Sequence, residues 1–180
     1  PLLLKSIPLE VLNMIQITPD AANKLIRTYK DERRLLVEKE RVDCTYSYLG
    51  TEQPYIPDYD FKQTQEQLEV LSDKIIRIKH ALNQFNMKTV SPATDMTIDE
   101  MLVRMAILSE SKSRLERMRK MSPKSRRTYP GTSASEYTEV NFSLEEAEAA
   151  YRKTVEELTL IQQELNRINI NKTFKVDIDE

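Results

Sequence analysis

The stretch FKQTQEQLEVLSDKIIRIKHALNQF, residues 61–85, decides the fold of this chain. Its packing positions recur with spacings that alternate between three and four residues: Phe61, Thr64, Leu68, Leu71, Ile75, Ile78, Leu82 and Phe85. Seven of these eight side chains are apolar, and in an α-helix this spacing places them in one stripe along a single face. We therefore predict a helix from about residue 59 to 85 that packs on another helix along this stripe.

Two later stretches repeat the same heptad spacing. The first predicts a helix from about residue 97 to 121, with packing positions at Ile98, Met101, Met105, Leu108, Lys112 and Leu115. The second predicts a helix from about residue 143 to 169, with packing positions at Leu144, Ala147, Tyr151, Thr154, Leu158, Ile161, Leu165 and Ile168. Lys112 interrupts its stripe, where its aliphatic stem can still pack or its charge can fix the register.

Local capping signals predict where the helices begin. Thr18-Pro19-Asp20 combines an N-cap residue, a proline at the first helical position and an acid in the first turn, so a first helix is predicted from about residue 19 to 47. Capping boxes, in which Ser or Thr precedes Glu by three residues, open the two later helices at Thr97 and Ser143. The first helix has the least regular stripe, formed by Leu25, Tyr29, Leu36 and Val37.

These signals together predict an all-α protein of long antiparallel helices. Connections are expected at residues 49–58, 86–96 and 122–142, and such lengths allow consecutive helices to run antiparallel. The chain has only two glycines, which is too few for a turn-rich β fold. The expected architecture is a four-helix bundle or a set of helical hairpins with coiled-coil seams. Residues 137–142 and 173–178 alternate with period two and are candidates for one small β-hairpin.

The sequence divides into a short N-terminal segment and one helical domain. Residues 1–18 are interpreted as a capping segment in which a brief helix passes through Leu9, Leu12 and Ile15. Residues 19–180 are predicted to form a single helical-bundle domain. Polar residues interrupt the apolar character of the N-terminal segment and no cationic region precedes it, so we expect no signal peptide.

Composition limits the classes of function. The formal net charge is −2, so the molecule as a whole is not an obvious binder of polyanions. The single cysteine, Cys44, excludes an intramolecular disulfide and favours a reducing compartment, which we expect to be the cytoplasm. No apolar run reaches the length of a membrane-spanning helix.

The side chains that catalysis and metal binding need are scarce. His80 is the only histidine, and its place beside the packing stripe favours an ordinary helical histidine over a catalytic one. Cys44 is interpreted as a small packing residue. A di-iron centre needs Glu-x-x-His pairs on two helices, whereas Arg77 stands three residues before His80. We therefore expect no enzymatic activity, no cofactor and no metal site.

One segment carries a strong positive charge. Between Lys112 and Arg127, eight cationic side chains accompany one acid, Glu116. The functional interpretation is a surface that binds the phosphates of a nucleic acid or an anionic lipid. The structural alternative is that these cations stabilise a helix C-terminus and pair with an acidic fourth helix. The candidate contacts are Lys120, Lys124, Arg126 and Arg127.

Four tyrosines cluster around the first connection. They are Tyr46, Tyr48, Tyr55 and Tyr59. One interpretation is an exposed recognition patch, because aromatic residues are enriched at protein interfaces. The other interpretation is that the tyrosines pack the connection over the end of the helical bundle.

Three short segments resemble a group of uncharacterised bacterial helical proteins, some of which are labelled septicolysin-like. They are Lys79-His80-Ala81-Leu82-Asn83-Gln84-Phe85-Asn86, Asp95-Met96-Thr97-Ile98-Asp99-Glu100-Met101 and Leu165-Asn166-Arg167-Ile168-Asn169. The similarity covers about residues 20–170. It implies a coiled-coil-rich bundle from a bacterial or phage source, and it implies no catalytic residue.

We expect a protein that builds structure or binds other proteins. Its apolar fraction of 39% and charged fraction of 31% fit helices with narrow stripes, which favour burying further apolar surface against a second copy or another helical protein. The first alternative is a nucleic-acid-binding module that uses the basic loop at residues 124–129. The second alternative, suggested by the resemblance alone, is a membrane-active, toxin-like protein.

Overall fold

The computed structural model describes residues 14–131 and 133–178, and within them the protein is mostly helical. Its four helices are α1 (Pro19–Asp43), α2 (Phe61–Lys88), α3 (Ile98–Arg119) and α4 (Leu144–Asn171). Its strands, all short, are β1 (Met14–Ile17), β2 (Val90–Ser91), β3 (Met96–Thr97), β4 (Lys124–Thr128), β5 (Ser135–Glu139) and β6 (Phe174–Asp177). The prediction of a largely helical chain with four long helices is confirmed.

The chain divides into two compact units. Among the described residues, unit 1 contains 14–85 and 168–178, and unit 2 lies between Asn86 and Arg167. β1 and α1 therefore belong to the same unit. The predicted boundary at residue 18, between a capping segment and a single helical domain, stays a prediction. The brief N-terminal helix falls mostly outside the described residues, but its last predicted member, Ile15, lies in β1 and that part of the prediction is wrong.

The helix starts follow the capping signals of the sequence. The Thr18 side chain accepts a hydrogen bond from the backbone N–H of Ala21 at 3.2 Å, and Pro19 is the first residue of α1. α3 opens with both hydrogen bonds of a capping box between Thr97 and Glu100. At α4, the hydroxyl of Ser143 accepts a hydrogen bond from the N–H three residues on at 3.2 Å.

α1 ends four residues earlier than the sequence predicts. It stops at Asp43 instead of about residue 47. Residues 45–48 are Thr, Tyr, Ser and Tyr, all of which lose side-chain freedom or compete for backbone hydrogen bonds in a helix. The connection between α1 and α2 is correspondingly longer than expected, at residues 44–60.

α1 and α2 form an antiparallel pair in unit 1. Gln65 of α2 donates a hydrogen bond to Glu40 of α1, and farther along the pair Arg33 of α1 donates one to Ser72 of α2. Residue numbers fall along one helix as they rise along the other, which defines the antiparallel direction. The core of this unit contains Ala22, Ile26, Ile78, Val176 and Ile178.

The stripe predicted for α2 is shielded from solvent at seven of its eight positions. Leu68 and Ile78 are buried, and Thr64, Leu71, Ile75, Leu82 and Phe85 are half-buried. Phe61 is the exception, with 66% of its surface exposed. In the antiparallel alignment Phe61 lies beyond the C-terminal end of α1, so no helical turn stands opposite to cover it.

β1 and β6 pair antiparallel at the edge of the unit 1 core. Ile15 lies opposite Val176 and Ile17 opposite Phe174. The Phe174 ring stacks on Phe85 of α2, with ring centroids 5.1 Å apart. This pairing joins segments about 160 residues apart in the sequence and closes unit 1.

The predicted β-hairpin between residues 137–142 and 173–178 is wrong. Both segments do contain strands, but β5 pairs with β4, and β6 pairs with β1. β4 and β5 are separated by only six residues, so bringing them together costs little loop-closure entropy. β1 enters α1 directly and β6 follows α4 directly, which places each beside the same apolar cluster.

α3 and α4 form the antiparallel pair of unit 2. Arg104 of α3 forms a bidentate ion pair with Glu157 of α4, at 2.6 and 2.9 Å. Near the other end of the two helices, Arg119 contacts Glu148 at 3.0 Å. The predicted stripes of both helices are buried or half-buried at every position, including Lys112. The stripes of α2, α3 and α4 therefore face inward, whereas in α1 the predicted stripe is wrong at Val37, which is exposed.

A buried serine ties the α2–α3 connection to α4 in unit 2. Ser91 is fully buried, and its hydroxyl donates a hydrogen bond to the Glu164 carboxylate at 2.8 Å. Arg167 and, to a smaller extent, Ser91 lower the pKa of Glu164 because both stabilise its charged form. The Ser91 oxygen in turn accepts a hydrogen bond from the backbone N–H of Ala93 at 3.2 Å, so the buried hydroxyl is satisfied as both donor and acceptor.

Two isoleucines of α2 test where the core lies. Ile78 is fully buried and Ile76 is 62% exposed, so we expect Ile78→Ala to lower the free energy of unfolding by about 2–5 kcal/mol through lost burial and a cavity. Ile76→Ala removes the same atoms and should change it by no more than about 0.5 kcal/mol. Urea denaturation followed by circular dichroism, at one protein concentration, measures both. Equal losses for the two variants would contradict this placement of the core.

Candidate functional site

The connection between α1 and α2 is fixed at one end by Tyr59. Its hydroxyl donates a hydrogen bond to the Glu40 carboxylate at 2.6 Å, and the Gln65 side-chain amide donates to the same oxygen at 2.9 Å. The hydrogen bond and negative charge of Glu40 favour the neutral phenol and raise the pKa of Tyr59 to about 12. Tyr59 is therefore held by α1 and is not a free recognition residue.

The other three tyrosines of the predicted patch are exposed. Tyr46 and Tyr48 stack on each other with ring centroids 6.1 Å apart, and Tyr55 has 84% of its surface exposed. The interpretation that the cluster packs over the end of the helices is thus wrong for these three side chains and holds only for Tyr59. For these exposed tyrosines the recognition patch stays a prediction.

An open groove runs along the α1–α2 pair of unit 1. It has a volume of about 760 Å³, and its apolar lining comes from Leu35 and Leu36 of α1 and Val70 and Leu71 of α2. Leu35 is 66% exposed and Val70 54% exposed. We call this surface, with its rim residues Glu32 and Lys39, the hairpin groove. An apolar surface of this kind on a water-exposed helical pair marks a place where another apolar element can pack.

Charged side chains stand at the rim of the hairpin groove. Glu32 and Lys39 line it from α1, one heptad apart, with Leu35 and Leu36 between them. Glu66 lines it from α2 and forms an ion pair with Lys62 at 3.9 Å. Within the part of the chain that the structure describes, neither Glu32 nor Lys39 forms an ion pair or a hydrogen bond. Their charges are therefore available to a partner placed over the apolar lining.

Sequence reasoning missed the hairpin groove. Leu36 belongs to the stripe predicted for the first helix, whereas Leu35 belongs to no predicted stripe. A signal was present, because Leu35 and Val42 are seven residues apart and define a second apolar line on the same helix. Both are exposed, at 66% and 63%, so this second line remains uncovered by α2.

The predicted phosphate contacts lie at the end of α3 and on the two-stranded β4–β5 ribbon. Lys120, which follows the last residue of α3, forms an ion pair with Glu116 at 2.7 Å. Lys124 forms one with Glu139, directly opposite in the ribbon, at 2.6 Å. Half of the four candidates are thus paired with acids, as the structural alternative expects, although the acids differ from those of α4.

The two arginines of β4 pack on aromatic rings. The Arg126 guanidinium lies 5.9 Å from the centre of the Tyr137 ring, and that of Arg127 lies 5.1 Å from the Tyr129 ring. Tyr129 donates a hydrogen bond to Glu136 at 2.5 Å, which raises the pKa of the Tyr129 hydroxyl. Arg126 and Arg127 remain exposed at the surface of the ribbon.

The remaining residues that chemistry could use are spread over unit 1. His80 is exposed on α2 and shares a hydrogen bond with Gln84 at 2.9 Å. Cys44 is exposed after the end of α1, so its interpretation as a packing residue is wrong. Across residues 14–131 and 133–178, no three His, Cys, Asp or Glu side chains gather closely enough to hold a metal ion.

None of the described helices is both long enough and apolar enough to cross a lipid bilayer.

Comparisons with known proteins give no relative. No protein-family model, no curated protein and no solved structure matches this chain. The resemblance to septicolysin-like proteins therefore stays a prediction, and function is argued from the contacts of the molecule itself.

Titration of Tyr59 tests the contact that fixes the connection. Since the pKa is raised above its ordinary value of about 10, the stabilising contribution is complete below pH 10 and is lost as the pH rises through about 12. Subtracting the tyrosinate absorbance of Tyr59→Phe from that of the unmodified protein should give a transition near pH 12.

Glu40→Gln provides the companion measurement for Tyr59. Removing the negative charge should move this transition down towards pH 10, because only a neutral acceptor then faces the phenol. Circular dichroism of the same samples checks that the helices persist. A difference curve centred near pH 10 in the intact, unmodified protein would show that the hydrogen bond to Glu40 does not form.

Proposed function

We propose that this chain is a non-enzymatic interaction protein that associates with a second copy of itself through the hairpin groove. The observation that carries the proposal is the exposure of Leu35 and Val70, which line an open groove of about 760 Å³. Exposed apolar surface of this kind is unfavourable in water and is stabilised by burial against a partner.

In this proposal the heptad stripes and the groove have different partners. The stripes pack on each other as coiled-coil seams within one chain, so they are not available to a second copy. The second apolar line of α1, at Leu35 and Val42, is the surface left over. Association through this line extends the same helix-on-helix packing to a further helix and can complete a four-helix bundle from two copies.

A second copy is the occupant that the groove fits best. A partner helix needs apolar residues with heptad spacing and charges that complement Glu32 and Lys39 at the rim. In the groove lining α1 carries the apolar Leu35 and Leu36 and the opposite charges of Glu32 and Lys39, and Val42 follows Leu35 by one heptad outside that lining. Symmetric self-pairing is also the commonest form of protein association.

Light scattering on Leu35 variants tests the proposed self-association. We expect the unmodified protein to have the mass of a dimer at micromolar concentration. Leu35→Ser should weaken the dimer by at least tenfold, because it replaces an apolar contact in each of two symmetric positions. Leu160→Ser, at an exposed leucine of α4 in unit 2, is the matched control and should leave the mass unchanged. A single-chain mass for the unmodified protein at every concentration would refute self-association.

A second candidate function is supported by the β4–β5 ribbon. Two-stranded ribbons fit the major groove of duplex DNA, and this one presents Arg126 and Arg127 beside aromatic rings with no acid paired to either guanidinium among the described residues. The ion pairs of Lys120 and Lys124 weigh against it, since they reduce the charge available to phosphates. It therefore ranks below self-association.

Salt-dependent DNA binding distinguishes this second candidate. Replacing Arg126 and Arg127 together by Ala should weaken binding to a labelled duplex by about tenfold or more and reduce the salt slope by about two. The pair Arg27 and Lys30 on α1, both exposed and changed in the same way, controls for net charge. Fluorescence anisotropy at several salt concentrations measures both effects. Equal binding by the ribbon variant and the control would exclude the ribbon as a DNA contact.

A further inference from the structure

The charges on the groove-facing side of α1 are complementary to those of a second α1 that runs in the opposite direction. Residues 32–39 read ERRLLVEK, and the residues that line the hairpin groove from α1 are Glu32, Leu35, Leu36 and Lys39. An acid stands at one end, a base at the other, and two leucines occupy the middle. Reversing the direction of this segment exchanges the acid and the base and leaves the apolar centre unchanged.

The direction of self-pairing follows from this pattern. If two α1 helices ran parallel in register, Glu32 would meet Glu32 of the second copy and Lys39 would meet Lys39, which places like charges together. If they run antiparallel around a two-fold axis between Leu35 and Leu36, positions 32 and 39 are equally far from the axis and face each other. Each copy then contributes one acid and one base, and two opposite-charge contacts flank the leucines.

We propose that α1 pairs with α1 of a second copy in the antiparallel direction, around a two-fold axis between Leu35 and Leu36. Glu32 of each copy lies opposite Lys39 of the other, and Val70 and Leu71 of α2 cover the leucines from the side. This inference rests on the proposed function and adds the partner segment, its direction and its register. The leucines supply most of the affinity, and the two charge contacts select the register.

The structure leaves these groups ready for that role. Leu35 needs no movement to be covered, because it is already two-thirds exposed. Glu32 and Lys39 break no ion pair within the described residues when they meet a partner. Several other charged residues of α1 are already engaged, including Asp20 with Lys24 and Asp31 with Arg34.

A charge-exchange series tests the register. Glu32→Lys and Lys39→Glu each turn two attractive contacts into repulsive ones, so each should weaken the dimer by about tenfold in sedimentation velocity. The double variant, with both changes, re-creates opposite-charge contacts and should return to within about threefold of the unmodified protein. Both replacements keep good helix formers in place, and circular dichroism confirms that the variants are folded.

The controls separate this register from the proposed function. Lys30→Glu makes the same charge change as Lys39→Glu, but at a position of α1 outside the groove, and should have little effect on the dimer affinity. Added salt should strengthen each single variant, because it screens repulsion, and weaken the unmodified dimer slightly. If Leu35→Ser dissociates the dimer but the double variant stays as weak as the single ones, the register is wrong while self-association stands. If the unmodified protein has the mass of one chain, self-association itself fails.

Discussion

The packing of one narrow apolar stripe on another is the interaction on which the rest of this structure depends. Each long helix carries charged residues around most of its circumference, so it can exclude water only along one line. In unit 1 that line centres on Ile78, and in unit 2 on Met101 and Ile161, all fully buried. A stripe this narrow is satisfied by a single neighbouring helix, and antiparallel pairs are the simplest arrangement that provides one. Further apolar side chains on the same helices are then left at the surface.

Polar contacts across each pair fix the alignment that the stripes leave open. An apolar stripe repeats every heptad, so it tolerates sliding by one repeat, whereas a specific hydrogen bond does not. Glu40, which binds Tyr59 and Gln65 together, allows one alignment in unit 1, and the paired contact between Arg104 and Glu157 does the same in unit 2. Exposed contacts of this kind contribute little net stability, so their main effect is on register. We propose the same division for the hairpin groove, with apolar contact supplying affinity and charge supplying alignment.

The helices were predictable because their signals are local. The capping signals at Thr18 and Thr97 each lie within four consecutive residues and predict where a helix begins. The heptad spacing identifies the inward face of α2, α3 and α4. Strand partners were not predictable, because alternation shows that a segment can be a strand but not which distant segment it joins. Ile15 fits both a helical and an alternating pattern, and contact with Val176 decides between them. The groove was missed for a related reason: Leu35 and Leu36 are adjacent, and only the position of α2 determines which of them is covered.

The pairing of β1 with β6 has a consequence for the order in which the protein acquires its structure during synthesis. Val176 and Ile178 belong to the same core as Ala22 and Ile26, so a ribosome must translate through residue 178 before that core can close. Unit 2 is continuous in sequence and can fold as soon as it emerges. Until β6 is synthesised, the nascent α1–α2 segment exposes apolar side chains of the unit 1 core to solvent. We therefore expect chaperones to bind this segment during synthesis.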